Sequence, residues 1–408
     1  MAEGDTMTAQ VQHKDNSSGF AMSGPAEAID QTLVELDAEL DWLTRLTPSN
    51  MGALWDAFCE SNYNAMPALE YQDVDIDLEA LRRKLLGLPV HDIDDPLIET
   101  LLIEKQREID RQIELVRMRA RDGIIIASID LFGAVDSTLL DDALRILEQV
   151  PQIETAPRDS SAEDFVKAAA LEMEYYHGQD PDFGFQVKVN PNSGGTLFTS
   201  SGDLYVAHDY RTAKARIDPL IQHEIGTHSV TWHNGKRQPL NVLRCGLPDY
   251  DALQEGLAVM GEYLSGYLPP ERLRMLAARV VAADMAVNEV PVVQIFARLN
   301  DEFGFDKFRS FDTAIRAVRG GGLTKDALYL KGLVELLAYL HHGGDFETLF
   351  IGKFALKQLP ILEKLLERGM LVPPALLPRY ISKPRAVQRL ENVRNMDITA
   401  LYQEHPAP

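Results

Sequence analysis

Two histidines five residues apart place the strongest constraint on how this chain can fold. They are His223 and His228 in the string HEIGTH, and Glu224 directly follows the first of them. Histidine nitrogens bind zinc, and in zinc hydrolases a neighbouring carboxylate takes a proton from the metal-bound water. The common form of this motif spaces the histidines four residues apart, so both rings share one helix face. At about 100° per residue, five steps overshoot a full turn by roughly 140°, and a regular α-helix would separate the rings.

A local distortion of the helix would bring the two rings back to one side. A π-bulge absorbs one extra residue, and such bulges are frequent at functional sites. Gly226 lies between the histidines and tolerates a distortion more easily than a bulky residue would. We therefore predict a π-type irregularity between His223 and His228.

A third ligand is expected downstream, because a catalytic zinc keeps three protein ligands and one open position. Glu255 lies in the string LQEGLA, 27 residues after His228, which leaves room for a loop and an antiparallel return. Glu262 competes for this role because it lies two turns further along the same helix face. We assign it a supporting or structural role. Two histidines and one glutamate favour zinc over other divalent cations.

The alternatives to a catalytic metal site stay open at this point. A histidine–glutamate pair on a helix is also a common surface feature, and this spacing alone is a loose pattern. The preceding strand region, the glycine and the carboxylate helix together favour the metal site. His208 and His233 lie near enough in sequence to act as alternative ligands. A fourth protein ligand would indicate a structural site, whereas an open position would indicate an enzyme.

A pocket for anions is predicted further along the chain. A peptidase needs a group that stabilises an oxyanion, and often a cation for a terminal carboxylate. The candidates, all near the glycine triplet at residues 320–322, are Arg316, Arg319, Lys325 and Tyr329. In the competing interpretation, the two arginines form a solvated helix face and Thr324 caps the next helix.

Composition limits the remaining classes of function. The chain has 408 residues, 45% of them hydrophobic, and a formal net charge of −22. The chain as a whole lacks the excess of positive charge that is typical of nucleic-acid-binding proteins. It also has no apolar run that is long enough for a membrane span. Two cysteines cannot build a disulfide framework, and the acidic start is no secretory signal, so we expect a cytoplasmic protein.

Hydrophobic periodicity predicts a helix-dominated α+β fold with one small, mostly antiparallel sheet. Alternating apolar residues predict three short strands, at residues 185–189, 196–200 and 204–207. The predicted units are a disordered tail (1–25), an N-terminal helical region (26–155), a catalytic region (156–380) and a C-terminal extension (381–408). The catalytic region is expected to contain a metal helix (217–230), a QEGLA helix (251–265) and C-terminal helices (270–380).

Three strings in this order resemble one family: HEIGTH, then QEGLA, then TKDALYLKG at residues 324–332. The resemblance is to the bacterial flavohaemoglobin expression-modulating QEGLA motif proteins. Their eukaryotic relatives are the microtubule-associated tyrosine carboxypeptidases, which trim the terminal tyrosine of α-tubulin. The resemblance spans about residues 30–370. The acidic balance of this chain argues against docking on an acidic polymer such as a microtubule.

The resemblance implies a set of site residues and a core. It implies that His223, His228 and Glu255 hold zinc and that Glu224 is the general base. It further implies a zincin-like core, in which an edge strand at residues 204–207 pairs with the substrate backbone through the region of Leu204 and Tyr205. Other residues that match the family's strings are Arg319, Lys325, Tyr329, Gln238 and Arg244.

The sequence therefore predicts a zinc metallopeptidase of the carboxypeptidase type, which removes a residue from a peptide or protein C-terminus, as a tyrosine carboxypeptidase does. Glu224 would deprotonate the water on a single zinc ion, and Tyr329 and Arg319 would stabilise the oxyanion. Lys325 or Arg319 would hold the terminal carboxylate, with Arg316 and Arg244 as further substrate contacts. The alternative is a non-catalytic regulatory or binding protein with a structural or vestigial metal site. Neither nucleic acid nor membrane is expected as a partner.

Overall fold

Helices dominate the computed structural model, which describes residue 22 and residues 24–153, 156–191, 196–319 and 322–406. Two small sheets among these residues complete a helix-dominated α+β fold, as predicted, although the sequence predicted one sheet. The predicted disordered tail lies mostly outside the described residues, and the first helix begins at Gly24. Among the described residues, no helix is long and apolar enough to cross a membrane.

The N-terminal region is helical, as its apolar periodicity predicted. Its helices are α1 (Gly24–Leu40), α2 (Trp42–Arg45), α3 (Met51–Glu60), α4 (Leu78–Leu86), α5 (Pro96–Arg117), α6 (Ile124–Phe132) and α7 (Ser137–Gln149). The start of α5 shows why these boundaries are sharp. Asp95 accepts hydrogen bonds from the backbone N–H groups of Leu97 and Ile98, and Pro96 occupies the first turn, where its missing N–H has no cost.

Residues 156–406 add eleven described α-helices, of which α18 lies in the predicted C-terminal extension. They are α8 (Ala162–Gln179), α9 (Ile217–His223), α10 (Val230–Lys236), α11 (Val242–Cys245), α12 (Tyr250–Ser265), α13 (Pro270–Val287), α14 (Val292–Ala297), α15 (Lys307–Val318), α16 (Leu328–His341), α17 (Leu359–Glu367) and α18 (Pro384–Val393). One continuous cluster of buried apolar side chains runs from the N-terminal helices through this region. The division of the chain at residue 155 stays a prediction.

Five short strands within the described ranges form the two sheets. They are β1 (Ser160–Ser161), β2 (Val187–Asn190), β3 (Leu197–Ser200), β4 (Asp203–Ala207) and β5 (Arg211–Thr212). β1 pairs with β5 antiparallel, and the larger sheet has the order β2-β4-β3. β4 is parallel to β2 and antiparallel to β3. The larger sheet is therefore mixed, where the sequence predicted a mostly antiparallel one.

β4 is the central strand of this sheet, so the prediction that residues 204–207 form its edge is wrong. The backbone of β4 pairs with a strand on each side, and Leu204 and Val206 are fully buried. A substrate backbone cannot pair next to Leu204 and Tyr205, because those backbone groups are already used. Alternation of apolar residues marks a strand but does not give its position in the sheet. β3 is the edge strand that lies against the histidine-bearing helix.

α12 and α16 cross with their backbones in direct contact. A Cβ atom on Gly332 would lie 1.6 Å from the carbonyl oxygen of Ala252, and one on Gly256 would lie 2.5 Å from the carbonyl oxygen of Gly332. Only glycine allows such an approach. Gly256 belongs to the QEGLA string, and Gly332 ends the TKDALYLKG string. The crossing therefore joins the helix that carries Glu255 to the helix that carries Tyr329.

Candidate metal centre

The helix that carries the two histidines contains a π-helical segment, which confirms the prediction from their spacing. α9 ends at His223, the segment Glu224–Ser229 is π-helical, and α10 follows it. The two imidazole rings consequently lie on one side, with their centroids 5.1 Å apart. A Cβ atom on Gly226 would lie 2.6 Å from Oε1 of Gln222, so a larger residue there would force that side chain to move.

The three predicted metal ligands come together. Oε2 of Glu255 lies 3.7 Å from Nε2 of His223 and 3.9 Å from Nε2 of His228. One ligand atom from each residue lies within 4.8 Å of the other two. Within the described ranges, no fourth histidine, cysteine, aspartate or glutamate joins this group. The arrangement leaves room for a metal ion with an open coordination position.

The chemistry of these donors fits a zinc ion. The buried Oε2 atom of Glu255 has no hydrogen-bond partner in the described structure. A buried carboxylate oxygen without a partner is unfavourable, and a cation between the three ligand atoms would satisfy it. Two imidazole nitrogens and one glutamate oxygen form a ligand set that catalytic zinc sites use.

Hydrogen bonds orient both histidine rings from behind. Nδ1 of His223 lies 2.9 Å from Oε1 of Glu262, and Nδ1 of His228 lies 3.2 Å from Oε1 of Gln254. The same Gln254 oxygen accepts a hydrogen bond of 2.7 Å from Oγ1 of Thr231. Because a carboxylate or amide oxygen only accepts, each ring donates from Nδ1, which leaves Nε2 able to bind a metal ion.

Glu262, the competing ligand candidate, lies behind His223 and is fully buried. One of its oxygens is 2.6 Å from Arg216, and the other is 3.4 Å from Nε of Arg272. Burial alone would raise the pKa of Glu262, but the two guanidinium groups hold it well below its usual range. The ionised carboxylate raises the pKa of His223 against the opposing effect of burial. Burial lowers the pKa of His228.

Glu224 is held between the metal helix and the edge strand. Oγ1 of Thr199, on β3, donates a hydrogen bond of 2.8 Å to Oε2 of Glu224. Glu224 is only 7% exposed, and it lines a cavity together with His223. Its carboxylate therefore borders the space in which a reacting water would lie.

The cavity beside His223 and Glu224 has a volume of about 470 Å³ and an arginine-rich wall. The arginines that line it are Arg158, Arg211, Arg216, Arg272, Arg279, Arg309 and Arg316. The net charge of −22 for the whole chain therefore conceals a strongly basic cavity. Such a cavity concentrates anionic ligands even when the rest of the surface is acidic.

Two residues of the predicted anion pocket line this cavity, Arg316 and Tyr329. Arg316 donates hydrogen bonds of 2.7 and 2.8 Å to the carboxylate of Asp326. This ion pair partly neutralises the positive charge of Arg316. Burial, and then the nearby Glu255 carboxylate, raise the pKa of Tyr329 to about 12. Its phenol therefore stays protonated at neutral pH and can donate a hydrogen bond.

Three other predicted contacts do not line the cavity, namely Arg244, Arg319 and Lys325. Nζ of Lys325 lies 2.9 Å from a carboxylate oxygen of Asp251. Burial alone would lower the pKa of Lys325, but Asp251, and then Tyr329 and Glu255, raise it above its usual value. The guanidinium of Arg244 lies over the ring of Trp232, 5.6 Å from its centroid. Nη1 of Arg319 is 4.0 Å from a methionine sulfur on α3. Arg319 and Lys325 therefore do not line this cavity, although Lys325 lies near Tyr329 and Glu255.

The two alternative histidine ligands also lie apart from the metal group. His233 is buried, and its Nε2 is 2.9 Å from Oδ2 of Asp180. His208 is exposed at the end of the sheet region. Among the described residues, neither histidine closes the coordination shell. The sequence left the role of Gln238 open. Its Nε2 donates hydrogen bonds to the carbonyl oxygens of Ile351 and Val372, and its Oε1 accepts one from the N–H of Val372, so it connects these segments.

Sequence reasoning missed three residues of the site: Thr199, Gln254 and Arg279. Gln254 directly precedes Glu255 in the QEGLA string, so the motif itself was an available signal. Thr199 was placed on a strand, but no local pattern indicated its bond to Glu224. Arg279 lies in the middle of α13, outside any motif, and only the packing of that helix reveals its place in the cavity wall.

Comparison with known proteins agrees with these motifs. The family model described as microtubule-associated tyrosine carboxypeptidase (MATCAP) matches residues 56–397. Microtubule-associated tyrosine carboxypeptidase 1 of Mus musculus is 24% identical over 318 residues, which are 75% of this chain and 58% of that relative. The chain thus spans little more than half the length of this relative, and no solved structure matches it significantly. Because the family model matches most of the sequence, this chain belongs to the microtubule-associated tyrosine carboxypeptidase family.

Proposed function

We propose that this protein is a zinc-dependent metallopeptidase of the carboxypeptidase type, which removes one residue from the C-terminus of a peptide or protein. One observation carries the proposal. The free Nε2 atoms of His223 and His228 converge on the unpartnered Oε2 of Glu255, beside a cavity that Glu224 lines. The family's name supports the choice of a carboxypeptidase over other peptidases.

His223, His228 and Glu255 would hold one zinc ion per chain. When bound, zinc supplies Lewis-acid polarisation of a carbonyl and lowers the pKa of water to about 7. Glu262 and Gln254 keep the two imidazole rings in the orientation and protonation state that ligation needs.

Glu224 acts as the general base in this proposal. Its carboxylate accepts the proton of the attacking water and returns it to the leaving amine, and general acid–base catalysis of this kind contributes about 10²- to 10⁴-fold. The hydrogen bond from Thr199 holds the carboxylate in place while the proton moves. Because Glu224 is largely shielded from solvent, its charge acts in a medium where electrostatic interactions are strong.

Tyr329 is the candidate for stabilising the oxyanion. With a pKa raised to about 12, its phenol remains a hydrogen-bond donor throughout the neutral range. A donor aimed at developing negative charge is among the larger contributions to catalysis in acyl-transfer reactions. The arginines of the cavity wall favour a substrate that brings a carboxylate with it.

We also propose a zincin-like core in which β3 receives the substrate. β3 is an edge strand of the described sheet, and it lies over the π segment through the bond between Thr199 and Glu224. An extended peptide can add to such an edge through main-chain hydrogen bonds. Its scissile bond would then lie next to Glu224.

A peptide-trimming assay tests the proposal. Purified wild-type protein and its Glu224→Gln variant are incubated with peptides that differ in their C-terminal residue, and mass spectrometry reads the products. We expect the wild type to release single C-terminal residues and the variant to be at least about 100-fold slower. The glutamine keeps the size of the side chain and removes its basicity.

Each contrary result removes a defined part of the proposal. Hydrolysis by Glu224→Gln at the wild-type rate would contradict the role of the base. Cleavage at internal bonds would contradict the carboxypeptidase type. Bound zinc without hydrolysis of any peptide would favour the non-catalytic alternative, a regulatory or binding protein.

A further inference from the structure

Arg279 differs from the other arginines in the wall of the cavity. Its Nε atom is buried and has no hydrogen-bond partner in the described structure, a feature that it shares with Arg272. Its guanidinium lies over the ring of Tyr329, 5.0 Å from the centroid. Among the described residues, no carboxylate lies within ion-pair distance of it, so its charge is not neutralised by a direct contact.

The other arginines deep in this cavity are paired with acidic groups. Arg216 and Arg272 share Glu262, Arg309 pairs with Asp306, and Arg316 pairs with Asp326. These arginines set the general charge of the cavity, but their donors are partly used. The other two arginines of the wall, Arg158 and Arg211, are exposed to solvent. Arg279 is thus the partly buried arginine of the described wall that has no carboxylate at ion-pair distance, and its guanidinium can bind a ligand.

An unpaired guanidinium at this depth is unfavourable unless a ligand supplies the missing charge. Burial, and then the neighbouring Arg316, lower the pKa of Arg279. A guanidinium is nevertheless too basic to lose its proton in a protein, so the positive charge persists. An anion in the cavity would remove this cost.

We propose that Arg279 binds the free α-carboxylate of the residue that is removed, and thereby restricts cleavage to the end of a chain. The planar fork of arginine matches a carboxylate with two parallel hydrogen bonds, and the ring of Tyr329 beneath it limits its orientation. His223, Glu224 and Tyr329 line the same cavity, so the reacting carbonyl and the carboxylate have neighbouring sites. This inference rests on the proposed function. It gives Arg279 the role that the sequence had assigned to Lys325 or Arg319.

A binding experiment tests this assignment without depending on hydrolysis. Zinc-loaded Glu224→Gln protein is titrated calorimetrically with N-acetyl-glycyl-tyrosine and with the same dipeptide as its C-terminal amide. We expect the acid to bind about 10- to 100-fold more tightly than the amide, the range for a lost hydrogen bond to a charged group. Adding Arg279→Gln should abolish this preference.

Two further variants keep the test decisive. Arg309→Gln removes one charge from the same cavity and serves as the matched control, and it should retain the preference for the acid. Arg279→Lys keeps the charge but loses the fork, so about a tenfold loss of the preference is expected. Circular dichroism checks that each variant is folded. If Arg279→Gln does not fold, the acid preference of Arg279→Lys tests the inference.

The source of the anion is tested with a second pair of peptides, which carry glutamate or glutamine before the terminal tyrosine. If Arg279→Gln removed the preference for glutamate and left the preference for the acid intact, Arg279 would bind a side chain and the inference would be wrong. Failure of the folded protein to bind the acid more tightly than the amide would also overturn it.

The outcomes separate this inference from the proposed function. Hydrolysis by the wild type combined with an unchanged acid preference in Arg279→Gln overturns the inference alone. Acid binding that depends on Arg279, without hydrolysis of any peptide by the wild type, supports the inference and contradicts catalysis.

Discussion

Oγ1 of Thr199 donates a hydrogen bond of 2.8 Å to Oε2 of Glu224. Thr199 belongs to the edge strand β3, and Glu224 is the first residue of the π segment. The bond therefore connects the sheet to the carboxylate beside the first histidine. A peptide added to β3 would lie next to the group that accepts the proton in the proposed reaction.

Replacing Thr199 by valine should slow catalysis without weakening substrate binding. Valine keeps the shape of the side chain and removes the donor, so Glu224 loses the contact that orients it. We expect kcat to fall about tenfold or more, since hydrogen bonds to charged groups contribute about 1.5–3 kcal/mol, while KM changes little. Thr199→Ser keeps the hydroxyl and should stay near wild type. Equal activity of Thr199→Val and Thr199→Ser would show that Thr199 does not position Glu224.

Replacing Gly332 by alanine should destabilise the crossing of α12 and α16. The new Cβ atom would meet the carbonyl oxygen of Ala252, so the helices must move apart. Overpacking of this kind costs about 1–3 kcal/mol and sometimes more, and we expect the upper end of that range in denaturant unfolding. Gly178 on α8 is the control, because a Cβ atom there meets nothing within 4 Å. Gly178→Ala should be neutral or stabilising by up to about 1 kcal/mol, and equal effects of both variants would contradict the tight crossing.

Removing the side-chain amide of Gln254 should weaken metal binding. Oε1 of Gln254 is the acceptor for Nδ1 of His228 and for the hydroxyl of Thr231. Loss of such an orienting partner typically lowers metal affinity about 10- to 100-fold, and we expect this range for Gln254→Leu in competition with a zinc chelator. Gln254→Glu retains an acceptor and serves as the control. Wild-type zinc affinity in the leucine variant would show that His228 needs no support from Gln254.

The ion pair between Arg316 and Asp326 predicts a characteristic dependence of stability on pH. Burial alone would raise the pKa of Asp326, but Arg316 and then Arg279 hold it well below its ordinary value of 3.8. Because the pKa is lower in the folded state, the carboxylate stabilises the fold above that ordinary value, and this stability is lost as the pH falls through the folded pKa. We expect the wild type to exceed Asp326→Asn by about 3 kcal/mol in free energy of unfolding at neutral pH.

This difference between wild type and Asp326→Asn should stay constant between about pH 5 and 7 and shrink below about pH 4. Comparing the two proteins cancels the carboxylates that both contain. Denaturant unfolding of both proteins across this pH range measures the difference in their free energies of unfolding. A difference that grows on acidification would contradict the lowered pKa.

Local geometry explains what the sequence could predict. The five-residue spacing of His223 and His228 required a π segment because helix geometry depends only on neighbouring residues. The bounds of α4 and α7 followed from their periodicity, and each begins directly after an aspartate whose side chain caps it, Asp77 and Asp136. The QEGLA string located Glu255 because a third ligand had to follow at a suitable distance.

Long-range pairing explains what the sequence could not predict. The alternation of β4 indicates a strand, but its central position depends on the two strands that flank it. Lys325 and Arg316 both lie near the glycine triplet in the sequence, yet Arg316 lines the cavity, whereas Lys325 pairs with Asp251 and does not line it. Charge counted over the whole sequence likewise missed the basic cavity, because its arginines come from distant segments.

The zinc content of the purified protein tests the central claim most directly. Inductively coupled plasma mass spectrometry is applied to the wild type and to variants at Glu224, His228 and His208. We predict about one zinc per chain in the wild type, in Glu224→Gln and in the exposed control His208→Ala, and little zinc in His228→Ala. A wild type without metal, or His228→Ala with the full zinc content of the wild type, would contradict the metal centre described by His223, His228 and Glu255.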